Sequence, residues 1–183
     1  MAISVLGISG SLRKGSFNTT LLRAAQGLAP AGMSIAIADI SNIPFYDGDI
    51  ETTTGIPAAA EDLRARVRAA DAVLIASPEY NGSFTGALKN AIDWCSRPPH
   101  QAFAEKPVAI MGASGGTMGT VRSQGHLRDV LTMLNARLVN TPQVFISVAN
   151  TKIEDGVLGD QPSLDFIRTL LENLGTWVER LRH

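Results

Sequence analysis

Short apolar runs alternate with stretches of helical spacing along the chain. The apolar runs predict five strands, at 3–9, 34–40, 72–77, 107–113 and 143–149. Four of them are apolar at nearly every position, which is typical of strands covered on both faces. The stretches that follow them place apolar residues three and four apart, as in Leu88, Ala91, Ile92 and Cys95. The order strand-helix therefore repeats five times.

This alternation predicts an α/β fold in which a parallel sheet carries helices on both faces, because parallel neighbours need crossover connections. Ligands in such sheets bind outside the carboxyl ends of the strands. We therefore expect the functional residues in the loops that follow strands. No repeat or convincing linker interrupts the pattern, so residues 1–183 are predicted to form a single domain.

Composition narrows the classes of function. The 183 residues are 45% apolar and carry a formal net charge of -1, so no basic field favours a nucleic-acid partner. No segment approaches the roughly 18 apolar residues of a membrane span, and the first residues lack the pattern of a signal peptide. We expect a soluble, cytoplasmic protein with no membrane partner. One cysteine and three scattered histidines give poor support for a disulfide or a metal site.

The loop after the first strand, within "SGSLRKGSFN", is the first candidate site. It leads directly into a helix whose N-terminal N–H groups favour an anion. Ser11, Ser16 and Asn18 add polar donors, and Arg13 adds a positive charge. The spacing matches neither the P-loop nor the dinucleotide fingerprint. The pattern predicts a phosphate site, with an ordinary capped loop as the alternative.

Two further strand-end loops complete the candidate site. In the loop after the third strand, Pro78 fixes the backbone, Tyr80 offers an aromatic face, and Asn81 before a glycine predicts a tight turn. After the fourth strand, residues 114–116, here called the glycine ledge, expose backbone N–H groups. Together the loops predict a site for a molecule with an anionic end and a planar end.

The segments "SGSLRKGSFN", "PEYNGSFTGALKNAIDW" and "GASGG" resemble, in order and separation, the FMN-binding segments of the NAD(P)H-dependent FMN reductase family. The resemblance implies a flavodoxin-like three-layer sandwich with strand order 2-1-3-4-5. It implies that the FMN phosphate is held by Ser11, Arg13, Ser16 and Asn18. It further implies that the ribityl chain and ring are lined by Pro78, Glu79, Tyr80 and Asn81. The other edge of the ring would then lie near Ser114, Gly115 and Gly116.

The implied activity is hydride transfer from NADPH or NADH through bound FMN to quinones or other small electron acceptors, azo compounds and chromate included. No catalytic side chain and no metal are required. We interpret Glu79 as a solvated carboxylate with only its backbone on the flavin, with a general acid as the alternative. A flavodoxin-type one-electron carrier is the alternative function, which the nearly neutral composition disfavours. The physiological acceptor and the choice between NADH and NADPH stay open.

One helix also suggests an assembly. Ala87, Ala91 and Trp94 form a second apolar row on the helix predicted from 85 to 96, beside its core-facing stripe. The small residues and the aromatic anchor predict contact with a second copy, as a homodimer or homotetramer. The alternative is that the chain's own loop at 97–103 covers Trp94.

Overall fold

The computed structural model describes residues 2–182. The strands are β1 (Ile3–Ser9), β2 (Met33–Ala38), β3 (Ala72–Ala76), β4 (Pro107–Ala113), β5 (Arg137–Leu138), β6 (Val144–Ile146), β7 (Ile153–Glu154) and β8 (Val157–Leu158). The α-helices are α1 (Phe17–Leu28), α2 (Gly48–Thr54), α3 (Ala58–Ala69), α4 (Gly86–Cys95), α5 (Val121–Met133) and α6 (Gln161–Leu181). None of these helices is both long and apolar enough to cross a membrane.

The main sheet is parallel and confirms the predicted strand order, β2-β1-β3-β4-β5. The last position in the sheet is divided between two short strands. β5 pairs with the first residues of β4, and β6 pairs with the last three. Of the strand predicted at 143–149, only Val144–Ile146 forms. Pro142 cannot donate to the ladder before it, and Val148 leaves the extended region after it with φ 49°.

Two apolar cores lie on opposite faces of the sheet, as the continuous apolar strands predict. α1 and α6 cover one face, and α3, α4 and α5 cover the other. β3 serves both layers, because Leu74 points to the first core and Val73 and Ile75 point to the second. The additional helix α2 has no buried residue, which explains why apolar spacing did not reveal it.

Trp94 is covered by a segment that the sequence did not suggest. Its side chain is fully buried, its Nε1 donates to the carbonyl of Pro44 at 2.8 Å, and its ring meets that of Tyr46 edge to face at 4.9 Å. The prediction that Trp94 anchors a second copy is therefore wrong, because no surface of this side chain is left for a partner. The two contacts shown come from the connection between β2 and α2, and cover by the loop at 97–103 stays a prediction.

Candidate functional site

The loop after β1 sits directly against the loop after β3. The Gly10 N–H donates to the Ala76 carbonyl at 2.8 Å, and the Thr85 hydroxyl donates to the Gly10 carbonyl at 2.5 Å. A Cβ at Gly10 would lie 3.2 Å from side-chain atoms of both Leu88 and Pro78. The missing side chain thus permits the close approach that brings the two predicted binding loops together.

The end of this loop caps α1 and presents a cation. The Ser16 hydroxyl accepts from the Thr19 N–H at 3.3 Å, which is a standard N-cap contact. The Ser11 hydroxyl accepts from the Arg13 N–H at 3.3 Å. The Arg13 side chain is exposed, and no carboxylate within residues 2–182 pairs with its guanidinium. Hydroxyls, helix N-terminus and free positive charge therefore meet at one point, as a phosphate requires.

Asn18 is buried and joins α1 to the end of β4. Its Nδ2 donates to the Ala113 carbonyl, and its Oδ1 accepts from the Ala113 N–H, both at 3.0 Å. This residue was predicted as a phosphate ligand. The structure gives it a positioning contact, which fixes the start of α1 relative to the glycine ledge.

The predicted tight turn after β3 is confirmed. Tyr80 and Ser83 form an antiparallel bridge, with hydrogen bonds of 2.8 and 3.1 Å in the two directions. Asn81 and Gly82 between them have φ values of 52° and 76°, which a two-residue turn of this hand requires. The Tyr80 side chain stays about half exposed, at 49%. The turn therefore presents an aromatic face beside the cleft.

The interpretation of Glu79 as a solvated carboxylate is wrong. Its side chain is only 9% exposed, and its Oε2 accepts from the backbone N–H groups of Arg122 and Ser123, each at 3.1 Å. Its Oε1 accepts from Arg122 Nε at 2.9 Å. Thr120, the N-cap of α5, makes no side-chain cap of its own. Glu79 therefore caps α5 from the neighbouring loop, and both of its oxygens are engaged by protein donors.

The glycine ledge is held by its own serine. The Ser114 hydroxyl donates to the Gly119 carbonyl at 2.7 Å and accepts from the Gly116 N–H at 3.3 Å. Gly115 and Gly116 are exposed. At Gly115 and Gly116 the ledge is thus a surface without side chains that a flat group can approach closely.

All the predicted site residues line two adjoining clefts at one edge of the sheet. The first cleft, of about 160 Å³, is lined by residues of all three loops, namely Ser11, Arg13, Ser16, Asn18, Pro78, Glu79, Tyr80, Ser114 and Gly115. The second, of about 540 Å³, shares Glu79, Ser114 and Gly115 with it and adds Asn81 and Gly116. The structure also adds lining residues that the sequence did not single out for this site, namely Phe17, Ala113, Thr117, Met118 and Gly119. The second cleft is also lined by Gly82 of the predicted turn and by Arg122, whose contact with the substrate the sequence leaves open.

The position of some of the added lining residues in the sequence could have identified them. Thr117 and Met118 lie in the loop after the fourth strand, so the rule that strand-end loops carry ligands includes them, whereas Arg122 lies in the first turn of α5. Asp39, which also ends a strand, makes a local contact, since its carboxylate accepts from the Ser41 N–H at 2.8 Å. Hydrogen bonds from Ser41 lower the pKa of Asp39. In the described part of the chain, no group of three or more His, Cys, Asp or Glu side chains could hold a metal ion.

The strand order, the capped cationic loop and the aromatic turn define a flavodoxin-like protein whose site suits a molecule with a phosphate and a flat ring. The family model described as NADPH-dependent FMN reductase matches residues 3–151. The chain belongs to this family.

Relatives agree over the whole length. An NAD(P)H-dependent FMN reductase of Pseudomonas aeruginosa is 52% identical over 181 residues, which cover 98% of this chain and 97% of the relative. A quinone reductase of Escherichia coli is 42% identical over 183 residues, with the same coverage. Among solved structures, the flavoenzyme NAD(P)H:(acceptor) oxidoreductase FerB of Paracoccus denitrificans matches with a TM-score of 0.88 at 30% identity, over 98% of each chain.

Family membership confirms the predicted enzyme class and cofactors. The chain is an oxidoreductase that uses FMN and takes electrons from NAD(P)H. The alternative, a flavodoxin-type one-electron carrier, is not favoured.

Proposed function

We propose that the protein reduces quinones and related small electron acceptors with NAD(P)H, at an FMN held by the three loops. The observation that carries this proposal is the pair of adjoining clefts, which joins a cationic phosphate loop to an aromatic turn and a glycine ledge. Tyr80 and Met118 line these clefts with 49% and 59% of their surfaces exposed, which favours a planar apolar acceptor. The quinone reductase of Escherichia coli, 42% identical, supports the acceptor class.

Each loop has a separate part in binding. Ser11, Arg13 and Ser16 hold the phosphate through hydroxyl, charge and helix N-terminus, and Asn18 keeps that loop in place through Ala113. Bound FMN supplies two-electron transfer between donor and acceptor.

The other two loops orient the ring. Its surroundings are formed by Pro78, Tyr80, Asn81 and the backbone of Glu79, and by the glycine ledge, Ser114, Gly115 and Gly116. A backbone N–H of these loops that has no protein acceptor is suited to stabilise the negative charge that a flavin gains on reduction. No side chain has to exchange a proton with the substrate.

The purified protein is expected to show the visible absorption of a bound flavin that is released as FMN. Arg13→Ala removes one charge-assisted contact, so the apoprotein should bind FMN about ten- to a hundredfold more weakly. Lys14→Ala, the neighbouring exposed cation, is the matched control and should stay within about threefold of wild type. Equal affinities of the two variants in a fluorescence titration would refute the assignment of the phosphate site.

The acceptor class is tested by steady-state kinetics. We expect parallel double-reciprocal lines with a quinone, because donor and acceptor use the same clefts in turn. Intersecting lines would contradict the shared site, and failure to reduce quinones while azo compounds or chromate are reduced would replace the proposed acceptor.

We also propose that the protein works in the cytoplasm, because its single cysteine, Cys95, is a buried free thiol.

We further propose that the protein is a homodimer or homotetramer. Phe45 supports the assembly: it is 81% exposed, although its neighbours Pro44 and Tyr46 are held against Trp94. Light scattering at micromolar concentration should give a multiple of the chain mass, and Phe45→Ser should shift it towards the monomer. A monomeric wild-type protein would contradict the proposal.

A further inference from the structure

A β-branched residue in left-handed conformation lies directly behind the glycine ledge. Val148 has φ 49° and ψ 42°, a region that costs a β-branched side chain more than most others. It follows β6 and begins the short 3₁₀ turn Ala149–Thr151. The chain therefore turns sharply at this residue, where an extended strand would otherwise continue.

The turn points two successive amides at the ledge. The Val148 N–H donates to the Gly116 carbonyl at 3.1 Å, and the Ala149 N–H donates to the Ser114 carbonyl at 3.0 Å. Ala149 is fully buried beneath the ledge. Without the left-handed residue, these two N–H groups would point in alternate directions, as they do in a strand. We call this pair of residues the 148–149 turn.

The three N–H groups of the ledge differ in whether they already have an acceptor in the protein. The Ser114 N–H donates to the Ile146 carbonyl at 3.0 Å, and the Gly116 N–H is bonded to the Ser114 hydroxyl. The Gly115 N–H has no protein acceptor within the described residues 2–182. Gly115 also lines both clefts, so this amide is the ledge donor that is left for a ligand.

We propose that the 148–149 turn is a positioning element of the flavin site: by holding the Ser114 and Gly116 carbonyls, it leaves the Gly115 N–H as the ledge's donor to FMN. The inference rests on the proposed function. A carbonyl oxygen facing the ring would oppose the negative charge gained on reduction, whereas an N–H stabilises it. The left-handed conformation of Val148 is thus explained by the direction in which it makes the carbonyl and N–H groups of the ledge point.

Two substitutions at one position test the turn. Val148→Pro removes the N–H and excludes a positive φ, whereas Val148→Gly keeps the N–H and adopts positive φ freely. We expect the Pro variant to bind FMN at least about tenfold more weakly than the Gly variant, with a lower flavin midpoint potential. Fluorescence titration of the apoproteins and a redox titration of the flavin measure the two effects. Equal affinity and equal potential in both variants would overturn the proposal.

An NMR measurement on the wild-type protein does not depend on the folding of either variant. Addition of FMN to the ¹⁵N-labelled apoprotein should shift the Gly115 amide resonance and slow its hydrogen exchange. If FMN binds with no effect on Gly115, the role of the turn is refuted while the proposed function stands. If FMN does not bind at all, the proposed function itself fails.

Discussion

The Glu79 carboxylate both caps α5 and forms an ion pair with Arg122. Replacing it should therefore separate the contribution of the helix cap from that of the ion pair. Oε2 accepts both backbone N–H groups at the start of α5, and Oε1 accepts only Arg122 Nε. In Glu79→Gln, the amide oxygen can replace Oε2 and keep the cap, while the NH₂ group faces Arg122 and loses that bond. Glu79→Ala loses all three contacts.

The expected magnitudes differ for a physical reason. Loss of a helix cap costs about 1 kcal/mol, within a range of about 0.5–2 kcal/mol. The Arg122 side chain is 64% exposed, so its ion pair with Glu79 is screened and contributes less than about 1 kcal/mol. Glu79→Ala should therefore lower the free energy of unfolding by about 1–2 kcal/mol, and Glu79→Gln, which loses only the ion pair, by less than about 1 kcal/mol.

Urea unfolding of the apoproteins measures this difference without any contribution from bound flavin. In thermal unfolding, the Ala variant should melt about 2–8 °C below wild type, given the size of the chain. Glu154→Ala is the control, because this carboxylate on β7 is exposed and has no partner in the described part of the chain. Equal destabilisation by Ala and Gln at position 79 would show that the charge, not the cap, is the stabilising feature.

Two further predictions concern ionisable groups away from the site. Burial raises the pKa of Asp71, but hydrogen bonds from Ser4 and Arg182 outweigh it and lower the pKa from 3.8 to about 2. Its stabilising contribution should be present above pH 4 and vanish as the pH falls towards 2, so the gap in unfolding free energy between wild type and Asp71→Asn should narrow there; a constant gap would contradict this. Burial raises the pKa of the Cys95 thiol to about 12, so a thiol-disulfide reagent at pH 8 should label it only after denaturation, and rapid labelling of the native protein would be inconsistent with this environment.

The elements that the sequence predicts well are those with local causes. The first four strands are recognisable because each is a short, mostly apolar run, although the edge strand β2 stays partly exposed. The turn at Asn81 is recognisable because its two residues tolerate positive φ. The rule that ligands bind at strand ends then brings three separate loops to one edge. The clefts there contain all the residues predicted for the site, although their individual roles stay predictions.

The features that the sequence does not reveal depend on partners far along the chain. Asn18 and Ala113 are 95 positions apart, and Glu79 and Arg122 are 43 apart. An amide side chain such as that of Asn18 can bond a phosphate or a buried backbone group equally well. The residue type therefore does not distinguish a ligand from a positioning contact. The split last strand is similar, because β5 and β6 are too short to carry a periodic signal.

Trp94 shows why helical spacing alone cannot identify an interface. The spacing gives the angle of a side chain around the helix axis, whereas its cover is decided by segments elsewhere. Here the Trp94 side chain is covered by residues 44–46. This segment includes the exposed Phe45, so it does not resemble a core segment. A charged residue at position 94 would break the hydrogen bond to Pro44 and bury an unpaired carboxylate, so loss of assembly in Trp94→Glu would follow from unfolding. Phe45, which is exposed on the same segment, can be changed without that cost, and only such a substitution tests the assembly itself.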